Sequence, residues 1–457
     1  MTILIRTKPI KFNILLFLAL SFAIITFQKD LNTMVLNWIK NHFYVYILIY
    51  AGVSFLCFDF KKQKLLSAAN NFIVFFLFYY GIGVSLFSYM LQNVMEIRYI
   101  WIILVGYIFG LLGVNSYFTT NNRNYFQAIA AKINKKRAKI MLFTLVVLSL
   151  MFSLLWFKKI GVVPIFAKDI DYARTELAKG TFVLRQLMTL AVPAFFLGIF
   201  FFIEERRKEL IYFYFALVSF LLLSQGYRTF MLSFWLICVL ILARIHPAAV
   251  NVKKLLITSI VVLVFVFAFG IYRYKSDVMN LSSDKTNLMV AAQLFLVRPM
   301  SLQMIGKVFP TQVPYQYLDF YIRGLGFLQP GTQTSPGMWL KNEVFSLDFG
   351  GGGFNPGLLG EFYLSFGIIG IMLGMFSYGL ALAIIYNKYS RTSNPLLVVC
   401  SSILYLYLLI ALSPGVATVI VSIVWYALLT LCYYVLLKLN VFRCHSSVEF
   451  RQKGVES

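Results

Sequence analysis

About twelve apolar runs of roughly 17 to 25 residues follow one another along this chain, and a run of that length matches the hydrocarbon thickness a helix must cross. They lie near 12–28, 43–59, 70–91, 99–118, 139–157, 186–203, 210–224, 229–244, 254–272, 356–386, 396–412 and 416–437. In hydrocarbon every backbone N–H and C=O must find its partner inside the segment, so such a succession folds as a bundle of helices. The short pair on either side of Gly226 reads either as two spans or as one re-entrant or broken helix. Composition agrees: 60% of the residues are hydrophobic and only 13% charged, about half the charged share of a soluble domain. Mean hydropathy is +0.80. The expected fold is an all-α polytopic integral membrane protein, a single transmembrane domain over residues 1–457.

The formal net charge of +24 would suggest nucleic acid in a soluble chain. Here it reads as the cation excess of cytoplasmic loops, with attraction to anionic lipid headgroups besides, and no nucleic-acid partner is expected. The cation-rich short loops are Arg6, Lys8 and Lys11; Lys61, Lys62 and Lys64; Arg123, Lys132, Lys135, Lys136, Arg137 and Lys139; Arg206, Arg207 and Lys208; Arg244, Lys253 and Lys254; Lys388 and Arg391. All fall on one side of the expected bundle. The alternate loops carry one or two cations or none: Lys29 and Lys40, Arg98, Arg228, and Ser413-Pro414-Gly415. Both termini are therefore expected in the cytoplasm, and two longer loops outside, 158–185 and 273–355, the larger between the ninth and tenth spans. The apolar run Phe12–Phe27 behind the first cations lacks a small-x-small cleavage site and reads as an uncleaved helix.

Soluble signatures are missing: no phosphate-binding G-x-x-x-x-G-K-[ST], no G-x-G-x-x-G, no H-E-x-x-H. The five cysteines form no C-x-x-C pair, so neither a disulfide framework nor a zinc site is indicated, and no metal or cofactor is expected. The run Gly350–Gly353 has no lysine partner and reads as an open approach to the next span. Asp169-Ile170-Asp171 has the D-x-D form of nucleotide-sugar transferases, but on the outer face, where nucleotide sugars are not found.

Chemistry concentrates in the outer loops. In 158–185, Gly161 and Pro164 end the fifth span, and Asp169 can cap a short helix with Asp171 and Arg174 three residues apart. That pair reads as a surface ion pair of little energetic weight, or as a fork presented to a phosphate. Arg228 lies between two apolar runs with almost no polar loop around it. Such a charge either snorkels to headgroups or serves a function. In the large loop, 287–309 reads as an amphipathic helix at the membrane face, interrupted by Arg298-Pro299. After it Tyr315, Tyr317, Phe320, Tyr321, Phe327 and Trp339 alternate with Arg323 and Lys341, as an interfacial belt or as flat platforms for sugar rings. Glu361 sits in the early turns of the tenth span, where a carboxylate is a functional candidate.

Three stretches carry a resemblance: Gly161…Pro164-Ile165-Phe166…Asp171…Arg174…Gly180; Gly226-Tyr227-Arg228; and Gly353-Phe354-Asn355-Pro356 leading to Gly360-Glu361-Phe362-Tyr363-Leu364-Ser365-Phe366-Gly367…Gly370. In this order the chain resembles the O-antigen or oligosaccharide repeat-unit polymerases of bacterial envelopes, the Wzy type, and span count and loop placement fit over the whole length. The resemblance implies a glycosyltransferase of the bacterial cytoplasmic (inner) membrane with its site facing the periplasm or cell exterior. Its substrates would be oligosaccharides linked to undecaprenyl pyrophosphate, with membrane lipids and a chain-length regulator as further partners. Leaving-group charge needs guanidinium forks, which assigns Arg174, Arg228 and either Arg298 or Arg323 to pyrophosphate. The acceptor hydroxyl needs a base, for which Glu361 and Asp171 are the candidates, with Glu343 behind them. An O-antigen ligase would carry a histidine in the large outer loop, whereas His42, His246 and His445 all lie elsewhere. A flippase or other transporter would concentrate its charges in the bundle centre.

Overall fold

The computed structural model describes residues 2–28, 33–34, 43–59, 67–84, 96–117, 135–167, 170–175, 177, 180–204, 207–226, 228–245, 264, 268, 297–325, 335–347, 353–392 and 394–438. In chain order the helices are α1 (Thr2–Phe27), α2 (Phe43–Cys57) and α3 (Ala68–Phe76, running on through a π turn, Leu77–Gly81). Next come α4 (Ile97–Ser116), α5 (Lys135–Ile160), α6 (Ile170–Thr175), α7 (Phe182–Leu187) and α8 (Ala191–Glu204). They are followed by α9 (Lys208–Ser224), α10 (Arg228–Ile245), α11 (297–308), α12 (Asp319–Gly324) and α13 (Pro336–Trp339). The last three are α14 (Gly357–Arg391), α15 (Pro395–Ala411) and α16 (Val416–Lys438). No strand occurs among the described residues.

Among the described residues five helical segments are long and apolar enough to cross a membrane: Ile97–Ser116, Ala138–Ile160, Val183–Phe200, Gly357–Arg391 and Val416–Leu437. Six shorter apolar helices fall on six more of the expected runs. The remaining run, 254–272, lies outside the described residues apart from 264 and 268. The chain is thus a polytopic helical membrane protein. Hydroxyls inside the helices turn back on their own backbone, as Ser153 does to the Ser149 carbonyl (2.7 Å) and Thr430 to that of Tyr426 (2.6 Å), so these buried groups are paired within their own helix. The pair around Gly226 is a helical hairpin: Trp235 of α10 donates to Ser219 of α9 at 2.8 Å, and the two helices meet through Phe215 and Phe234.

The centre of the bundle is the crossing of α4 and α14. Most of α4 is buried, whereas α5 and α16 turn most of their apolar surface outward. Small residues allow the two backbones to touch, as membrane helix pairs require in the absence of a hydrophobic drive between them. A Cβ on Gly113 would strike the Phe376 carbonyl, and one on Gly379 the Gly110 carbonyl. Tyr107 of α4 stacks on Tyr50 of α2 at 4.4 Å.

Two contacts fix which ends lie together. Buried Arg244, in the last turn of α10, donates to the carbonyls of Thr392 (2.7 Å) and Tyr389 (3.3 Å), closing the C-terminus of α14. Tyr433 near the end of α16 reaches the Ala138 carbonyl at the start of α5 (3.5 Å). Since α10 and α14 share their C-terminal end, their starts at Arg228 and Gly357 lie toward the opposite end. The α15–α16 turn, the C-terminus of α5 and the residues after Gly161 emerge there too. That end carries the candidate site.

If the α4–α14 crossing holds the bundle, Gly379→Ala must push against a backbone carbonyl that cannot rotate away. We expect it to cost about 1–3 kcal/mol and to lower the thermal unfolding midpoint in detergent. Gly52→Ala, where a Cβ meets nothing within 4 Å, should leave the midpoint unchanged or raise it.

Candidate functional site

The first turn of α14 begins with a backbone constraint. Gly357 has φ +70, and a Cβ there would stand 2.5 Å from the Tyr80 hydroxyl and 3.6 Å from Arg298 Cδ. The Tyr80 hydroxyl donates to the Leu412 carbonyl at 3.1 Å and accepts from Leu359 N at 3.4 Å. Leu358 N adds a bond to the same Leu412 carbonyl at 3.3 Å. Fully buried Tyr80 therefore staples α14 to the turn Leu412–Gly415 between α15 and α16.

Arg298 of α11 lies against the same turn. Its Nε donates to the Ser413 hydroxyl at 3.0 Å and its Nη1 to the Asn355 carbonyl at 3.1 Å. The side chain is half-buried. Burial lowers its pKa from the usual guanidinium value, opposed by the nearby Tyr80 and Tyr79, and the group stays cationic. Among the described residues it has no carboxylate within ion-pair distance. Two neutral acceptors orient this cation and leave Nη2 without a partner there.

Glu361, one turn further along α14, is fully buried. Its Oε2 accepts from Val416 N at 2.7 Å and its Oε1 from Ala417 N at 3.1 Å. A carboxylate on the first free amides of a helix meets both the unsatisfied donors and the positive end of the dipole. Gly415 has φ +96, and a Cβ there would occupy the carboxylate's own position.

Above this, α14 breaks. Phe366 and Gly367 leave helical geometry, Gly367 with φ +64. The carbonyls released by the break are taken by the loop: Gln316 N donates to Leu364 O at 3.0 Å and Tyr317 N to Ser365 O at 3.3 Å. The Tyr315 hydroxyl stands 2.6 Å from where a Cβ on Gly367 would be. Tyr317, itself at φ +46, packs its exposed ring edge-on to Phe366 at 5.5 Å. Burial raises the pKa of Tyr315, with exposed Arg98 acting against it. Half-buried Tyr321 is directed toward Ser365, and burial first, then the Glu361 carboxylate, raise its pKa. Exposed Arg323 lies over the Trp339 ring at 4.9 Å. Its neighbour Gly324 abuts the Ala417 carbonyl, so α12 rests on the start of α16.

The assembly is a half-buried guanidinium held by neutral acceptors, on the same turn as an amide-bound carboxylate, at one end of an apolar helical bundle. A family model described as "Putative O-antigen polymerase" matches residues 6–426. The chain belongs to this family. No curated protein and no solved structure shows significant similarity to it.

Of the residues expected to serve a polymerase, the structure brings Arg298 and Glu361 to one turn and Arg323 to the helix resting on it. Asp171 and Arg174 stand three residues apart on α6, the short helix the sequence suggests, but their side chains and Asp169 lie outside what is described. Arg228 opens α10 after the Gly226 turn (φ +76), with its side chain likewise outside. Beside it Gln225 is fully buried, and among the described residues neither of its amide atoms has a hydrogen-bond partner. Glu343 is exposed on the π turn Leu340–Val344, and Phe327 and Gly350–Gly352 are not among the described residues. Phe320 and Trp339 are buried, so of the loop aromatics Tyr317 is the one whose ring is exposed among those described. Sequence reasoning missed Tyr80, Ser413 and Arg98 as site residues. Tyr80 is one tyrosine in an apolar run, and the other two served only to count loop charge. Among the described residues no three metal-ligating side chains cluster.

Gly415 and Gly161 both have positive φ (+96 and +77), but a Cβ at Gly161 meets nothing within 4 Å. Alanine should cost both about 1 kcal/mol of backbone strain. The extra fall in unfolding midpoint expected for Gly415→Ala over Gly161→Ala measures the Glu361 contact, and equal falls would mean that contact has no weight.

Proposed function

We propose that this member of the O-antigen polymerase family transfers a growing glycan from undecaprenyl pyrophosphate onto a sugar hydroxyl of a second lipid-linked repeat unit, building a surface polysaccharide. The observation that carries this reading is Arg298: a cation at the edge of an apolar bundle, oriented by Ser413 and Asn355 and, among the described residues, without a carboxylate in ion-pair distance. Such a seat suits a diphosphate brought by a membrane lipid.

In the reaction the acceptor oxygen attacks the anomeric carbon and the bond from that carbon to the pyrophosphate oxygen breaks. The leaving diphosphate keeps the electron pair, and the hydroxyl proton passes to a base. Arg298 meets the developing charge with donors already in place, and Arg174, Arg228 and Arg323 supply the further guanidiniums two lipid pyrophosphates require. Both oxygens of Glu361 are engaged by backbone amides, which favours Asp171 as the proton acceptor. In this reading the Arg298 end faces the periplasm or cell exterior of the inner membrane, both termini are cytoplasmic, and about twelve spans cross it. A chain-length regulator would act on the same face.

Deleting the gene in its host should leave single repeat units where wild type carries long chains. Complete glycan accumulating on the lipid carrier would instead mean a ligase, and units held on the inner face a flippase. In the complemented strain Arg298→Ala should cut polymer about 10- to 100-fold, the scale of a lost charge-assisted hydrogen bond. Arg298→Lys should recover part of it, since a point charge replaces the fork. Unchanged polymer in Arg298→Ala would remove this residue from the site.

A further inference from the structure

The Glu361 carboxylate and the guanidinium of Arg298 grip the same short turn from two sides. Glu361 holds Val416 N and Ala417 N, at the start of α16. Arg298 holds Ser413, three residues before that helix begins. Between them Gly415, at φ +96, passes so close to the carboxylate that no side chain fits. Tyr80 holds the preceding residue, through the Leu412 carbonyl. The backbone of Glu361 is fixed as well, its carbonyl accepting from the Ser365 hydroxyl at 2.8 Å.

A general base needs an oxygen that the substrate proton can reach. Glu361 offers none: it is fully buried, and each oxygen already accepts an amide hydrogen. Taking a proton would replace the charged acceptor of these two amides by a neutral one and weaken its hold on the first turn of α16. Among the described residues the titratable groups facing it are Tyr80 and Tyr321, with no carboxylate or histidine beside it.

We propose that Glu361 is a positioning residue: its carboxylate fixes the start of α16 and with it the Leu412–Gly415 turn, so that the Ser413 hydroxyl orients Arg298 toward the lipid diphosphate. Tyr80 secures the turn from the α3 side. The role rests on the polymerase reading, and it removes Glu361 from the candidates for the base.

The test is elongation of lipid-linked repeat units, extracted from the deletion strain, by the purified full-length protein in nanodiscs. The one oxygen left in Glu361→Gln can accept from both backbone N–H groups, as Oε2 already does at 2.7 and 3.4 Å, so kcat should stay within about tenfold of wild type, whereas loss of a general base typically costs about 10²- to 10⁴-fold. KM for the lipid-linked substrate should rise in Glu361→Gln, and the acidic limb of the pH–rate profile should remain. Ser413→Ala, which leaves the Glu361 contacts intact, should raise KM similarly, and the double variant should be no worse than the poorer single one, because both act through one turn. A kcat loss of a hundredfold or more in folded Glu361→Gln, disappearance of the acidic limb, or a wild-type KM in Ser413→Ala would overturn the proposal. Should Glu361→Gln fail to fold, the KM of Ser413→Ala decides alone. Should wild type elongate nothing, the polymerase reading fails instead. Binding of undecaprenyl diphosphate then tests positioning: weaker binding in Ser413→Ala supports it, and wild-type binding rejects it.

Discussion

A carboxylate buried near the edge of hydrocarbon is costly unless its charge is met. Glu361 is met by the first two free amides of α16, at 2.7 and 3.1 Å. The same bonds satisfy donors that a helix start would otherwise leave bare in an apolar setting. One interaction therefore removes two penalties, and it does so between α14 and α16, elements that converge on the candidate site. The start of α14, the α15–α16 turn, Tyr80 of the third helix and Arg298 of α11 are assembled around it. The other end of the same helices is closed by a different device, Arg244 on the last carbonyls of α14. The bundle is thus pinned at both ends by charged groups bonded to backbone, with glycine-mediated contact of α4 and α14 between.

The break in α14 belongs to the same economy of backbone groups. A helix interrupted at Phe366-Gly367 releases carbonyls, and in a bilayer setting these must be covered by protein. The amides of Gln316 and Tyr317 cover them, which ties the large loop to the helix bearing Glu361. Because Tyr315 lies on Gly367 and α12 rests on Ala417, the loop residues 315–324 are part of the site's frame.

Hydropathy made most of this architecture legible, because an apolar run long enough to span has only helical ways to satisfy its backbone. Local chemistry was legible as well. Gly161 does adopt positive φ where the sequence ends the fifth span, as does Gly226 between its two apolar runs, and the short helix carrying Asp171 and Arg174 forms. The break at Gly367 was hidden, since Gly360, Gly370, Gly374 and Gly379 lie in the same apolar run and stay helical. So were the pairs that build the site: Tyr80 with Leu412, and Arg298 with Ser413, meet across hundreds or scores of residues, and no local spacing encodes them. Glu361 drew notice by its charge, but only the structure reveals that backbone amides already hold both of its oxygens.

The central claim is that a lipid diphosphate is received at Arg298, on the turn that Glu361 holds. The most direct measurement is a cryo-EM structure of the protein in nanodiscs with undecaprenyl diphosphate. The account predicts diphosphate density against Arg298 Nη2 and the Ser413 turn, with Glu361 still bonded to Val416 and Ala417. Diphosphate density only at the opposite end, in the cleft lined by Lys388, Arg391 and Thr392, would contradict it.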